Sequence, residues 1–388
     1  MATQDYPRYS YTDTTAYKRI ITDVISLVDP SDAPFINAIG GLDGGSSKFR
    51  FVNGKSTLIA WLEDTLAVIS TELAEAATIT STVITSIIVT DGSMFQVGDI
   101  IQIDSEQIWI SAVATNTLTT TKRGWFGTTS ATHDSIAPVY LVGHASLEGA
   151  DSVTKGYPTI TTGSNWTQIF HKEIKVSRTM NNVSQYGLQN ELAYQCDKSV
   201  PEQMRLLERT VLHSKTGNIA SAGVAGKMAG LNGFITTNTA TGATLTQAIL
   251  DSAMMSCYKG GAGGQMIAAV SPEIMLKIKN FYDYYGTTAV PLFTVPRTEN
   301  TLGMTINNIV SPFGNIALIL DRWAAKPTAT ASSVMPIVDP NNVGMVTLYP
   351  FTQEPLAKVG DSERVQLVGE FTLAVRQEKS HAFLTAVT

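Results

Sequence analysis

A strict alternation of apolar and polar residues runs from Glu363 to Glu378 and constrains the fold more than any other feature of the sequence. The two alternating sets are Val365, Leu367, Phe371, Leu373 and Val375 on one side, and Arg364, Gln366, Glu370, Thr372, Arg376 and Glu378 on the other. A period of two predicts a β-strand with one buried face. These residues at about 3.3 Å each give a strand of about 53 Å, whereas ordinary strands average about five or six residues.

The partner of this strand is predicted to be Met345–Phe351, with residues 358–362 as the turn between them. A hairpin of this length extends beyond the core of any one chain. We therefore expect neighbouring chains to stabilise it.

A second element of unusual length is predicted from Leu188 to Thr216, where apolar residues recur at helical spacing: Leu188, Leu192, Cys196, Val200, Met204, Leu207 and Val211. At 1.5 Å per residue, this helix spans about 43 Å. Pro201 lies inside the stripe and predicts a kink in one bent helix. Residues 199–202 also fit a capping box with proline in the first turn, so two consecutive helices are the alternative.

Residues 82–143 differ in character from their surroundings, because short Ile/Val/Thr segments alternate with turn residues every eight to twelve positions. This spacing predicts a small all-β barrel or sandwich. The domain interrupts a long hairpin that goes out along Lys48–Trp61 and returns along Asn165–Arg178. The polar segment 65–81 offers little to bury and is predicted to be extended or mobile.

The remaining sequence predicts a mixed α/β region after the long helix and a polar N-terminal arm before the hairpin. The arm covers residues 1–13, and a helix follows from Tyr17 to Val28. The α/β region is predicted to contain helix Leu245–Tyr258, strand Met266–Val270, a helix from Ser271 to about Tyr285, and strand Ile316–Leu320.

Composition excludes several classes of protein. The net charge is −6 and no long basic run occurs, which argues against a protein whose main task is to grip nucleic acid. Only 15% of residues are charged, which suggests a surface largely covered by other subunits. Cys196 and Cys257 give no disulfide framework and suit a reducing cytoplasm. No signal peptide or membrane-spanning run is found.

No constellation for catalysis, metal or cofactor binding is found in the sequence. The five histidines are scattered without metal spacing, and the residues around Gly226-Lys227 do not complete a phosphate loop. Charged residues at the hairpin turn favour a contact between subunits. One aromatic and basic group could stack on a base or a sugar, with barrel-core packing as the alternative: Trp109, Arg123, Trp125 and Phe126.

Four stretches, spread over most of the chain, carry a resemblance to a known family. They include Asp29-Pro30-Ser31-Asp32-Ala33-Pro34-Phe35, Arg123-Gly124-Trp125-Phe126-Gly127-Thr128, Trp166-Thr167-Gln168-Ile169-Phe170 with Glu191-Leu192-Ala193-Tyr194-Gln195, and Ala357-Lys358-Val359-Gly360-Asp361-Ser362. The chain resembles major capsid proteins of tailed bacteriophages with the Hong Kong ninety-seven type fold. Within that class it is similar to the subfamily with a β-domain inserted in the extended loop.

The resemblance implies an α+β fold with the usual parts of this class in order. These are the N-terminal arm and helix (1–45), the outgoing extended loop (46–81), the inserted β-domain (82–143), the returning loop (144–180), the peripheral domain with its spine helix (181–235), the axial domain (236–342), the peripheral hairpin (343–380) and a C-terminal return to the axial domain (381–388).

The implied function is a structural shell protein of the virion, assembled in the bacterial cytoplasm as hexamers and pentamers around double-stranded DNA that it holds non-specifically. Scaffold, portal and decoration proteins are further implied partners; no enzyme activity, cofactor, metal or membrane is expected. The predicted subunit-contact residues are Tyr6, Tyr9, Phe49, Arg50, Trp61, Lys358, Gly360, Asp361, Glu363 and Arg364. Two alternatives remain, an encapsulin-like compartment and a glycan-binding or tail-associated virion protein.

Overall fold

The structure, a computed structural model, describes residues 32–42, 56–74, 79–80, 82–146, 148–149, 151, 159–183, 190–241, 244–282, 308–325 and 333–387. The described helices are α1 Pro34–Ala38, α2 Arg178–Asn182, α3 Glu191–His213, α4 Leu231–Phe234, α5 Gln247–Lys259 and α6 Pro272–Tyr282. The predicted arm, the helix Tyr17–Val28 and the first part of the outgoing strand lie outside the described residues.

The strands are divided here into those before residue 167 and those after it. The first group is β1 Leu58–Glu63, β2 Ser70–Glu72, β3 Ser86–Ile88, β4 Asp99–Ile103, β5 Glu106–Trp109, β6 Ala112–Ala114, β7 Thr117–Thr119, β8 Pro138–His144 and β9 Thr161–Trp166. The second group is β10 Gln168–Ser177, β11 Thr239–Thr241, β12 Gln265–Val270, β13 Asn308–Ser311, β14 Gly314–Leu320, β15 Ser333–Val338, β16 Val343–Pro355, β17 Ser362–Val375 and β18 Ala382–Val387.

The chain divides into two units, residues 62–162 and the remainder. In the smaller unit, a four-stranded sheet in the order β2-β8-β4-β5 and a three-stranded sheet in the order β3-β7-β6 enclose one apolar core. Leu73 and Ile79 are buried in that core, and Leu73 bridges to Val89 between the two sheets. The expectation that 65–81 has little to bury is therefore wrong, and the unit is longer than 82–143 at both ends.

The long helix is continuous. α3 runs from Glu191 to His213 with Pro201 inside it, so the two-helix alternative is wrong. Ser199 does not act as a cap, because its hydroxyl donates to the carbonyl of Cys196 at 2.7 Å. Asn190 caps the start instead, and its side chain accepts a hydrogen bond from the Ala193 amide. The helix is shorter than predicted at both ends, and its kink stays a prediction.

The long hairpin forms as predicted and gains a third strand from the same chain. β17 pairs with β16 on one side and with β10 on the other, in register from Gln168 opposite Phe371 to Ser177 opposite Ser362. Most of the predicted return strand thus pairs with the hairpin as β10, whereas its first two residues end β9, which pairs with β1. The chain itself supplies part of the support that the sequence analysis assigned to neighbours.

The hairpin sheet has one face against α3, where Phe371 and Leu373 join Leu207 and Val211 in the largest apolar core. At the inner end of the hairpin both faces are covered. Ala374 and Val346 pack there against Trp61 of β1. β17 therefore has a single buried face only in its outer half, although the alternation of apolar and polar residues runs along the whole strand.

A second core belongs to a mixed six-stranded sheet in the order β11-β18-β15-β12-β14-β13. β12 pairs parallel with β14, and the C-terminal strand β18 lies between β11 and β15. Helices α5 and α6 pack on this sheet through Leu250, Met254 and Ile278. The predicted helices and strands of this region are confirmed with small shifts in their ends; α6 is described to Tyr282.

Candidate assembly surfaces

The tip of the hairpin carries an exposed group of paired charges. Lys358 Nζ lies 3.2 Å from Glu363 Oε1, and Arg178 Nε lies 2.9 Å from Asp361 Oδ1. Gly360 has φ +76°, a conformation that favours glycine and closes the turn. Because exposed ion pairs stabilise a fold by about 0–1 kcal/mol each, these charges are available to pair again with another surface.

Arg364 lies nearer the body of the sheet than the other tip charges. Its Nη1 is 3.4 Å from Glu173 Oε1 on β10. In the pairing of β10 with β17, the residue directly opposite Arg364 is Lys175. The structure therefore places all five residues predicted at the tip near one another, with Lys358, Gly360 and Asp361 exposed and Glu363 and Arg364 half-buried. Arg178 and Glu173, which were not predicted from the sequence, lie beside them.

Trp61 is not available for a contact between subunits. It is 5% exposed and packs with Ile59, Val346 and Ala374, with its ring centroid 5.8 Å from that of Phe234. A Cβ on Gly163 would lie 2.4 Å from the indole nitrogen, so glycine permits this close approach. The prediction that Trp61 contacts a neighbour is wrong, because its own chain buries it. Tyr6, Tyr9, Phe49 and Arg50 lie outside the described residues.

The aromatic group of the small unit is assembled, but Arg123 is not part of its surface. The centroids of Trp109 and Trp125 are 6.0 Å apart, and those of Trp125 and Phe126 are 5.8 Å apart. Trp109 Nε1 donates to the Ala145 carbonyl, whereas Phe126 is 56% exposed. Arg123 is buried beneath the group, so a direct role for this cation in ligand binding is wrong.

Glu106 holds the loop that presents Phe126. Its carboxylate accepts hydrogen bonds from Arg123 Nε at 2.7 Å and from the amides of Gly124 and Ala131 at 2.9 and 3.0 Å, and it contacts His133 Nε2 at 2.9 Å. Burial alone raises the pKa of Glu106, but these hydrogen bonds outweigh it and lower the pKa to about 2. Both ends of the loop are thus fixed to β5.

Two further buried carboxyls, Glu208 of α3 and Asp321 after β14, lie in the larger unit, and each is fully inaccessible to solvent. Neither of them, nor Glu106, was predicted from the sequence as a buried carboxyl. Their positions in the sequence indicate burial. Glu208 lies on the apolar stripe, four residues after Met204 and three before Val211, and Glu106 lies on the same inward face of its strand as Ile108.

Within the described parts of the chain, no group of three or more His, Cys, Asp or Glu side chains is placed to hold a metal ion. No described helix is long and apolar enough to cross a membrane. Both described cysteines, Cys196 and Cys257, are buried as free thiols, and burial raises the pKa of each.

The fold has clear counterparts among solved structures of phages and related particles. The capsid of an empty GTA particle aligns with a TM-score of 0.54 at 8% identity, over 98% of this chain and 99% of that one. The cyanophage A-1(L) capsid gives 0.54 at 10% identity over 98% and 100%. The Mycobacterium phage Bobi structure gives 0.50 at 12% identity over 97% of each chain. At these identities the likeness shows a shared fold.

The fold is the Hong Kong ninety-seven type architecture of these capsids. Within it, the chain belongs to the SU10 major capsid protein family, whose sequence model matches residues 8–388. No curated protein matches the chain. The chain is therefore a structural capsid protein, which confirms the resemblance given by its sequence motifs. That it lacks enzymatic activity stays a prediction.

Proposed function

We propose that this subunit assembles in the bacterial cytoplasm as hexamers and pentamers of an icosahedral head that encloses the double-stranded DNA genome of a tailed phage. Family membership gives the capsid role. The observation that carries the further step is the long hairpin, which is buried at its inner end and presents exposed charges at its tip. Such a tip is built to meet other copies.

In this proposal, the contacts between copies are those predicted from the sequence. Hairpin tips meet around local three-fold axes through Lys358, Gly360, Asp361, Glu363 and Arg364. The N-terminal arm with Tyr6 and Tyr9 lies beneath one neighbour, and the extended loop with Phe49 and Arg50 lies over another. Obligate interfaces of this kind bury about 2,000–5,000 Å² each.

The extended loop also exposes apolar side chains where it enters the smaller unit. Leu62, Leu66, Val68 and Ile69 are between 58% and 93% exposed. A run of exposed apolar residues is unfavourable in an isolated soluble chain and marks a surface that another protein covers. In the assembled shell, neighbouring subunits cover this segment.

Contact with the genome is non-specific in this proposal. The net charge of −6 leaves the subunit weakly repelled by DNA, so the packaged duplex slides along the wall during filling. Scaffold, portal and decoration proteins are further candidate partners of the head.

The cargo separates this proposal from an encapsulin-like compartment. Particles purified from phage-infected cells and treated with nuclease are opened, and their contents are separated into nucleic acid and protein. Protected double-stranded DNA as the main content supports the proposal. Particles filled with a folded enzyme and free of DNA contradict it.

Glycan binding by the smaller unit is a second candidate, favoured by the exposed Phe126 beside Trp125 and Trp109. Sugar rings stack on such side chains, and Phe126 is held at φ +57°, a rare conformation for this residue type. Full particles applied to a glycan array should bind, and Phe126→Ala should abolish binding. Equal binding by Phe126→Ala, or none by the wild type, contradicts this candidate.

A further inference from the structure

The outer face of the four-stranded sheet in the smaller unit carries a row of polar side chains. Directly opposite residues of antiparallel strands share a face, and the register places Tyr140 of β8 opposite Gln102 of β4 and Gln102 opposite Gln107 of β5. Ile101 and Ile108, which alternate with the glutamines, face the apolar core, so the row points outward. Tyr140 is 52% exposed, and both glutamines are half-buried. Since neighbouring strands lie about 4.8 Å apart, the row is about 10 Å long.

An aromatic group continues this face at the far end of the row. Trp109 lies two residues after Gln107 on β5 and therefore on the same side of the sheet. Its ring contacts that of Trp125, and the ring of Trp125 contacts the exposed Phe126. The aromatic loop is fixed beside the row, because the Trp125 amide donates to the Gln107 carbonyl at 2.9 Å. Tyr140 and Phe126 thus mark the two ends of one surface.

The two glutamine side chains can form hydrogen bonds with a ligand. The amide of Gln102 donates to the Asp104 carbonyl at 2.9 Å, which leaves its second N–H and its oxygen for another partner. The side-chain amide of Gln107 has no hydrogen-bond partner among the described residues. Each side chain therefore offers both a donor and an acceptor, which suits a ligand rich in hydroxyl groups.

The order of polar and apolar groups on this face favours a sugar chain over a protein. A protein interface has an apolar centre surrounded by a polar rim. Here the amides of Gln102 and Gln107 lie in the centre, and the aromatic rings of Tyr140 and Phe126 lie at the ends. A chain of sugar rings matches this order, because the C–H faces of the rings stack on aromatic side chains and the hydroxyl groups bond to amides.

The charge of the smaller unit restricts the class of sugar. Residues 62–162 contain eleven aspartates and glutamates and three lysines and arginines, a net charge of −8. Arg123 is buried against Glu106. Lys155 lies outside the described residues, so Lys122 is the one exposed cation that the structure describes there. A negatively charged polymer, whether an acidic polysaccharide or a nucleic acid, would be repelled, and so would a second copy of the unit.

We propose that the smaller unit binds an uncharged polysaccharide along this face. Sugar rings stack on Tyr140 at one end and on Phe126 at the other, and Gln102 and Gln107 bond the hydroxyl groups between them. The site includes the aromatic loop of the glycan-binding candidate, on which it rests, and extends across the sheet. Its ligand is restricted to neutral glycans.

A glycan array that carries neutral and acidic oligosaccharides tests the site with full-length assembled particles. Wild-type particles should bind neutral oligosaccharides, whereas acidic ones of the same length should give no signal. Tyr140→Ala should weaken the apparent affinity about tenfold through loss of stacking, and Gln107→Leu about fivefold through loss of hydrogen bonds. Ile88→Ala, at an exposed position on the three-stranded sheet, is the matched control and should bind as the wild type does.

The outcomes separate this site from the candidate function on which it rests. Binding that is lost in Phe126→Ala and unchanged in Tyr140→Ala and Gln107→Leu would overturn the extended site and leave glycan binding by the aromatic loop in place. Stronger binding to acidic than to neutral oligosaccharides would overturn the class of ligand. Absence of binding to every glycan would overturn both the site and the candidate function.

Hydroxyl-radical footprinting of the wild type needs neither a variant nor a ligand. Tyr140 and Phe126 should be oxidised at the same rate in assembled particles and in dissociated subunits, because the site must be open in the particle to bind a polysaccharide. Protection of both side chains in the particle would show that another protein covers this face. That result would overturn the proposed site and would leave the capsid function unaffected.

Discussion

Arg123 and Glu106 form a buried ion pair beneath the exposed aromatic loop of the smaller unit, with Arg123 Nε donating to Glu106 Oε1 over 2.7 Å. The same arginine donates to the Ala131 carbonyl at the other end of the loop. The pair therefore ties both ends of residues 123–131 to strand β5. The conformation of Phe126 depends on this buried chemistry.

Replacing Arg123 by methionine should destabilise the smaller unit by about 3–5 kcal/mol, because it leaves a buried carboxylate without its cation. The measurement is hydrogen exchange of β4 and β5 in increasing denaturant. Lys122→Met, an exposed neighbour, is the matched control and should change stability by less than about 0.5 kcal/mol. A similar small change for both variants would mean that the pair does not support this unit.

Low pH should lower the stability of the smaller unit, because it protonates Glu106. Its pKa is lowered from 4.5 to about 2, so the stabilisation is present above pH 4.5 and is lost as pH falls towards 2. Tryptophan fluorescence, to which Trp109 and Trp125 contribute, should report acid unfolding. In Glu106→Gln the dependence on pH in this window should be weaker. An identical acid transition in both proteins would contradict the assignment.

Trp61→Ala should lower the stability of the unassembled subunit by about 3–5 kcal/mol, since a large buried ring leaves a cavity. Chemical denaturation of the dissociated protein measures this loss. Leu62→Ala, next along the strand and exposed, should have little effect on the same measurement. Normal subunit stability in Trp61→Ala, combined with failure to assemble, would instead restore the original prediction of a contact between subunits.

Asp361→Lys should leave subunit stability nearly unchanged and reduce the yield of particles. Its ion pair with Arg178 is exposed and contributes about 0–1 kcal/mol to the fold, whereas like charges would repel where hairpin tips meet. Glu354→Lys on the same hairpin is the control. Particle yield is measured by sedimentation. Equal yields from both variants would show that the hairpin tip is not an assembly contact.

Pro201→Ala should stabilise α3, because proline in a helix interior is about 3 kcal/mol less favourable than alanine. It should also straighten the helix and alter particle diameter or yield. Thermal unfolding measures the first effect, and electron microscopy measures the second. Particles of unchanged size and yield would show that any bend at Pro201 is local and does not set shell curvature.

The sequence predicted the elements whose periodicity is sustained. The alternation around Phe371 located β17, and the stripe through Leu207 located α3, because each pattern runs across many residues. The predictions failed for residues whose burial is decided by tertiary contacts. Trp61 looks like a surface aromatic until β1 meets the inner face of the hairpin, and Leu73 looks isolated until it bridges to Val89.

The partners of charged residues could not be predicted from the sequence. Glu106 and Arg123 are 17 positions apart, and Glu208 contacts an amide 173 positions away. Such pairs are set by chain topology and not by local pattern. Parity and helical position could indicate that these carboxyls point inward, but only the fold brings their partners to them.

Electron microscopy of the purified protein under assembly conditions shows directly whether the subunit forms a shell. We expect closed icosahedral shells, or tubes and capsomers built from the same subunit contacts. Soluble monomers under all assembly conditions, with no shells, tubes or capsomers, would contradict this expectation.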